Sequence, residues 1–180
     1  MVRTLIVAMA LALLAPAAWA DDVKPSKPIE KNKIDKDNPL DRDFLIAVAQ
    51  CNTNEIDCLT AFEKLTSSDK VKQFAKEVKK DHDDLQKEIA TAFEDRKIGV
   101  VATPDKDTVS KLNELRKMDK SERDKAFLDH FIAGHEKALK MAEHQKEKGK
   151  DDDAKKIAEK MIPELKEHIK KAKDLKKELK

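Results

Sequence analysis

At 180 residues the chain is one domain's length, with 41% Asp, Glu, Lys and Arg against 39% hydrophobic residues. The charges nearly cancel, at a formal +2, which argues against a dedicated nucleic-acid binder with its strong basic bias. Only three glycines are present, too few and too scattered for phosphate loops or dinucleotide-binding fingerprints.

Residues 1–3 are a short basic lead, residues 5–14 an apolar run, and Ala18-Trp19-Ala20 a small-x-small cleavage motif ahead of Asp21. This pattern predicts a secretory signal peptide over residues 1–20, cleaved after Ala20. The apolar run is too short for a membrane span. The expectation is a periplasmic product without a membrane-spanning segment. Residues 21–40 are rich in Lys, Asp, Asn and Pro and read as a disordered leader. The folded domain is placed at residues 41–180.

The first long helix is expected over residues 41–65. At 100° per residue, Phe44, Val48, Cys51, Glu55, Cys58, Leu59 and Phe62 share one face. The only two cysteines, Cys51 and Cys58, lie seven residues apart. A helix separates them by roughly 10 Å, beyond the reach of a disulfide, and they read as small buried residues. As flanks of Glu55 they are also alternative soft ligands for copper. Ser67 or Ser68 is placed to cap the second helix, residues 69–96. Its stripe is Val71, Phe74, Ala75, Val78, His82, Leu85, Ile89 and Phe93, with Asp81 assigned to the opposite side.

Residues 97–120 form a long connection, broken by Gly99 and Pro104, with room for a short helix over residues 107–117. The third long helix starts at Ser121, where Asp124 completes a pattern like a capping box. Its stripe runs Asp124, Phe127, Leu128, Phe131, His135, Ala138, Leu139 and Ala142, and Gly149 is a candidate stop. The fourth, residues 151–179, carries Ile157, Met161, Leu165, His168, Ala172, Leu175 and Leu179 inward. Pro163 is expected to kink or divide it. His130 and His144 fall off the inner stripes and read as surface residues. The fold class is all-α, a four-helix bundle with a long connection between its second and third helices.

Glu55, His82, His135 and His168 each interrupt a different apolar stripe near mid-length. In a bundle they meet at one height, where buried polar groups require partners. Three imidazoles and a carboxylate suit one transition metal ion, such as zinc, iron or copper. A di-iron centre would need Glu-x-x-His on two helices. Lys79, Ile132 and Leu165 stand instead three residues before the histidines, leaving Glu164 as a reserve carboxylate. A buried hydrogen-bond network that fixes helix register is the alternative use of such a ring.

The pieces Phe44-Leu45, Asn52-x-x-Glu55-Ile56, Val71-x-x-Phe74-Ala75, Asp81-His82, Asp124-x-x-Phe127 leading to His135, and Pro163-x-Leu165-x-x-His168 occur in that order over residues 41–176. Their order and spacing resemble a bacterial family of exported ferritin-like proteins, domain of unknown function 4142, often labelled predicted outer membrane proteins. The resemblance implies a ferritin-like four-helix bundle, with Glu55, Asp81, His82, Asp124, His135 and His168 as the family's polar positions. It implies no activity. Cys51 and Cys58 stand where the family tends to have small residues, and Phe127 where Tyr is common.

The leading expectation is an exported, ferritin-like bundle that binds or handles a transition metal through Glu55, His82, His135 and His168. A metal-dependent oxidoreductase, and a structural or envelope-stress protein whose ring only fixes packing, remain open beside it. The partner implied is a metal ion, with no nucleic acid and no membrane span.

Overall fold

Five helices and no strand make up the described residues of the computed structural model, which are 39–95 and 103–179. They are α1 (Pro39–Leu65), α2 (Asp69–Asp95), α3 (Lys106–Lys117), α4 (Lys120–Lys148) and α5 (Asp152–Glu178). The expected signal peptide, residues 21–38 of the expected leader, Arg96 at the end of the expected second helix, residues 97–102 of the expected connection and Lys180 lie outside the described residues. The last two leader positions, Pro39 and Leu40, belong to α1, which opens on a proline whose fixed φ suits a first helical position.

α1 packs along α2, and α4 along α5; α2 meets α5 and α1 meets α4, so the four long helices enclose one interior. α3 lies over α1 and α4. It is capped by Asp105, whose carboxylate accepts from Thr108 N at 2.8 Å, and Asn54 of α1 donates to the same carboxylate at 2.8 Å. No described helix is long and apolar enough to cross a membrane.

The two tight turns are held by buried charge. At residues 149–151, Asp41 of α1 accepts from Lys150 N at 3.1 Å and Asp151 N at 2.9 Å, and from the Gln145 side chain. Gly149 closes α4 with φ −64°, not in the left-handed region expected of a glycine stop. Its reason is space: a Cβ there would lie 2.6 Å from Gln145 O and 2.8 Å from Asp41 Oδ1. At the other end, Arg123 donates to the carbonyls of Leu65, Leu115, Arg116 and Met118, satisfying the ends of α1 and α3. Asp124 accepts from Thr66 Oγ1 at 2.9 Å. It therefore ties α4 to the α1–α2 turn and does not complete a capping box: α4 begins at Lys120 behind Asp119. Ser68 caps α2 through Val71 N at 3.4 Å, as expected.

Pro163 does not divide α5, which runs unbroken through it. The proline is exposed, while Met161, Leu165 and His168 on the inner face remain packed. That packing offsets the hydrogen bond lost at Pro163.

The interior is two apolar clusters stacked along the bundle. One holds Phe44, Phe93, Leu85, Ile157 and Leu165. The other holds Phe62, Phe74, Phe127, Phe131 and Val78. All six phenylalanines of the chain lie in these clusters, each fully buried side chain contributing about 1.5–3 kcal/mol. Between Val78 and Leu85 on α2, and between Leu165 and Ala172 on α5, the apolar sequence is interrupted by His82 and His168. The polar layer thus separates the two clusters.

Candidate metal centre

Each of the three layer histidines comes from a different helix: His82 from α2, His135 from α4 and His168 from α5. All are buried, at 8%, 2% and 4% exposure. Their ring centroids form a nearly equilateral triangle, 5.6 Å from His82 to His135, 5.8 Å from His82 to His168 and 5.5 Å from His135 to His168. One ligating atom from each lies within 4.8 Å of the others. Two donors on one zinc-like ion sit roughly 3–4 Å apart, so small side-chain movements would close the triangle around an ion.

The ring orientations are fixed from outside. His82 Nδ1 lies 2.7 Å from Asn52 Oδ1. Because the Asn52 amide nitrogen donates to His82 O at 3.0 Å and Gln86 Oε1 at 2.7 Å, its oxygen is the acceptor and His82 Nδ1 carries the proton. His135 Nδ1 faces the Phe131 carbonyl at 3.1 Å, and its ring stacks on the Phe131 ring at 3.8 Å. His168 Nε2 faces Asp81 Oδ2 at 3.1 Å. Both of these nitrogens are donors to oxygen. The opposite nitrogens, His82 Nε2, His135 Nε2 and His168 Nδ1, are buried and have no protein partner. Each therefore presents a lone pair. An outer acceptor on one nitrogen and a free lone pair on the other is the arrangement of a metal-ligating histidine.

Burial keeps the His82 and His135 rings neutral. It lowers the His82 pKa to about 3, assisted by His168. It holds His135 well below the usual imidazole value, assisted by His82 and His168. Neutral imidazole is the ligating form.

Three of the four expected site residues are brought together; Glu55 stands beside them. Its Oε1 lies 4.0 Å from His135 Nδ1, the nitrogen that faces Phe131, and is outside the three-histidine group. The reason is the rotation of α1. Asn52, one turn earlier, faces α2, while Glu55 faces α4, where a Cβ on Gly134 would lie 3.7 Å from Oε1. Burial raises the Glu55 pKa to about 7. Glu164 lines a cavity of about 20 Å³, room for about one water, together with Asp81, His82 and His168. Burial and the neighbouring acids Asp81, Glu88 and Asp84 raise its pKa, against the pull of Lys160.

Two residues that orient the centre escape a helical-wheel reading. Asn52 lies outside the apolar arc of the first helix, and Asp81 falls on the opposite side of the second helix's stripe. Asp81 occupies the α2–α5 seam, its side chain 46% exposed. In both cases the local signal was the family-like spacing, Asn52-x-x-Glu55 and Asp81-His82. The cysteines are free; Cys58 is buried, but Cys51 is exposed, against the expectation that both pack inside. His130 and His144 are exposed.

A family model described as Domain of unknown function (DUF4142) matches residues 28–175. Among solved structures, a DUF305 fragment from Deinococcus radiodurans superposes with a TM-score of 0.70 at 11% identity, over 79% of this chain and 98% of the fragment. That likeness is one of fold alone. No curated protein matches the chain.

Proposed function

Because the chain belongs to the family Domain of unknown function (DUF4142), whose description assigns no activity, we propose from its own centre that it binds a single transition metal ion. His82, His135 and His168 are the ligands, through Nε2, Nε2 and Nδ1. Glu55, beside His135, is the acceptor for a proton of water bound to the ion. The observation that carries this reading is the set of three buried, partnerless nitrogens whose opposite nitrogens are all held by oxygens. Protein groups alone leave those three atoms without partners, at about 1–3 kcal/mol for each one left desolvated. An ion satisfies all three at once. The donor set fits zinc, iron or copper.

The leader over residues 1–20 supports export to the periplasm, and the resemblance of the ordered motifs supports a ferritin-like bundle with its long connection between α2 and α4. In such a setting the centre holds, buffers or delivers an ion.

The test is equilibrium dialysis of chelator-stripped full chain against zinc, iron(II) and copper, followed by elemental analysis. One ion per chain is expected for at least one metal, and none in the variant with His82, His135 and His168 all replaced by Ala. A substoichiometric metal content, equal in the two proteins, would leave only the packing role.

A further inference from the structure

A second, larger cavity borders the same three-histidine layer. Its volume is about 370 Å³, and it opens along α1 and α4, the loosely packed pair of neighbouring long helices. Most of its wall surface is apolar, from Val48, Leu85, Ala138 and Met141, with Asn54, Thr108, His130 and Lys137 among the polar side chains. His82 and His135 also line it, both more than nine-tenths buried and each with a partnerless Nε2. The cavity beside Asp81 and Glu164 holds about one water, so the two spaces differ in kind. A volume of about 300–1,000 Å³ with apolar walls and a few convergent polar groups is that of a small-molecule site.

We propose that this chamber binds a small, mostly apolar organic molecule that reaches the ion at the triad with one donor atom. The inference rests on the metal reading and deepens it by naming a ligand class. Three protein ligands leave a coordination position on a zinc-like ion. Two of those ligands form part of the chamber wall; their Nε2 atoms are buried, so a ligand in the chamber reaches that position with a small turn of a wall side chain. The predominantly apolar wall surface favours a hydrocarbon body over a sugar or nucleotide. A flat or branched hydrocarbon body, with a nitrogen or oxygen donor at one end, matches both the walls and the inner end. Glu55, also in the wall, adds one polar contact near His135.

The experiment compares three probes by titration calorimetry and ligand-observed NMR on the zinc-loaded full chain: 4-phenylimidazole, imidazole and toluene. The proposal expects 4-phenylimidazole to bind at least about tenfold more tightly than imidazole, because only it fills the apolar walls. It expects 4-phenylimidazole to bind more weakly once zinc is stripped, while toluene binding persists. Ala138→Phe and, independently, Cys51→Phe should remove the preference and leave zinc content unchanged. Equal binding of 4-phenylimidazole and imidazole, or a preference that survives both filling variants, would overturn the proposal. Zinc content measured on each sample separates the two readings. If the chain takes up neither zinc, iron(II) nor copper, the metal reading falls and the donor step with it; if it takes up only iron(II) or copper, the same titrations are read on that loaded form. Toluene binding to the metal-free chain, lost in Ala138→Phe, still upholds the chamber, and its absence overturns that too.

Discussion

Asn52 Oδ1 lies 2.7 Å from His82 Nδ1, and the same amide donates to the His82 carbonyl at 3.0 Å. One buried side chain of α1 thus grips both the ring and the backbone of a candidate ligand on α2. The double contact fixes the tautomer of His82 and couples the α1–α2 seam to the centre. Asn52→Ala is expected to weaken metal binding by about 10- to 100-fold, the usual cost of losing an outer partner of a ligating histidine. It should also destabilise the metal-free chain by about 1–3 kcal/mol through the stranded Nδ1. Chelator competition and denaturant unfolding measure the two effects separately.

Asp81 plays the matching part for His168 from a wetter position. Its side chain is 46% exposed, so solvent can replace it in part. Asp81→Asn, which retains an acceptor oxygen, should reduce affinity by less than about tenfold and leave the unfolding midpoint nearly unchanged. A loss as large as that of Asn52→Ala would mean that the Asp81 charge, and not its hydrogen bond, matters to the ion.

The metal-free chain should lose stability on acidification. His82 has a folded pKa of about 3, below the ordinary 6.5, so the unfolded chain binds more protons between those values. Its contribution is full above about pH 6.5 and declines as pH falls towards 3, by about 3 kcal/mol at pH 4 at 1.36 kcal/mol per unit. His135 acts in the same direction. Glu55 acts oppositely: its folded pKa of about 7 exceeds its ordinary 4.5, so its contribution is present below 4.5 and declines as pH rises to 7. Thermal melts from pH 4 to 8 should therefore show Glu55→Gln removing a decline in stability between about pH 4.5 and 7, and His82→Leu removing a rise between about pH 4 and 6.5. Identical pH profiles for the wild type and His82→Leu would contradict the neutral buried imidazole.

Gly149→Ala should be destabilising although the glycine φ is one that any residue adopts. The added methyl would press on Gln145 O at 2.6 Å and Asp41 Oδ1 at 2.8 Å. Opening that turn disturbs the Asp41 contacts to Lys150 and Asp151, and a cost of about 1–3 kcal/mol is expected. Ala133→Gly, at an exposed site inside α4, is the control for a purely local backbone effect, near 1 kcal/mol.

Much of this architecture is legible in the residues. The α2 stripe from Val71 to Phe93 is buried at all its predicted apolar positions, because α2 shows one face to its neighbours and one to water. Its His82 interruption could therefore be read directly, as could His168 on α5 and His135 on α4. α1 was harder. It touches α2, α3, α4 and α5, so Leu45, Ala49 and Asn52 are buried as well as Phe44 and Val48. A helix covered on several sides has no single arc, and the wheel could not rank Glu55 against Asn52. Asp81 departs from the helical-wheel expectation for a related reason: a residue at the edge of a polar face reaches across a helix seam when a donor waits there. The unbroken α5 shows that tertiary packing overrides the local preference of Pro163.

X-ray absorption at the metal edge of the loaded full chain tests the central claim most directly. The account predicts a coordination shell containing three imidazole nitrogens at about 2.0–2.1 Å, reduced in each of His82→Ala, His135→Ala and His168→Ala. A shell of oxygens only, or of sulfur from Cys51 and Cys58, unchanged by those substitutions, would contradict it.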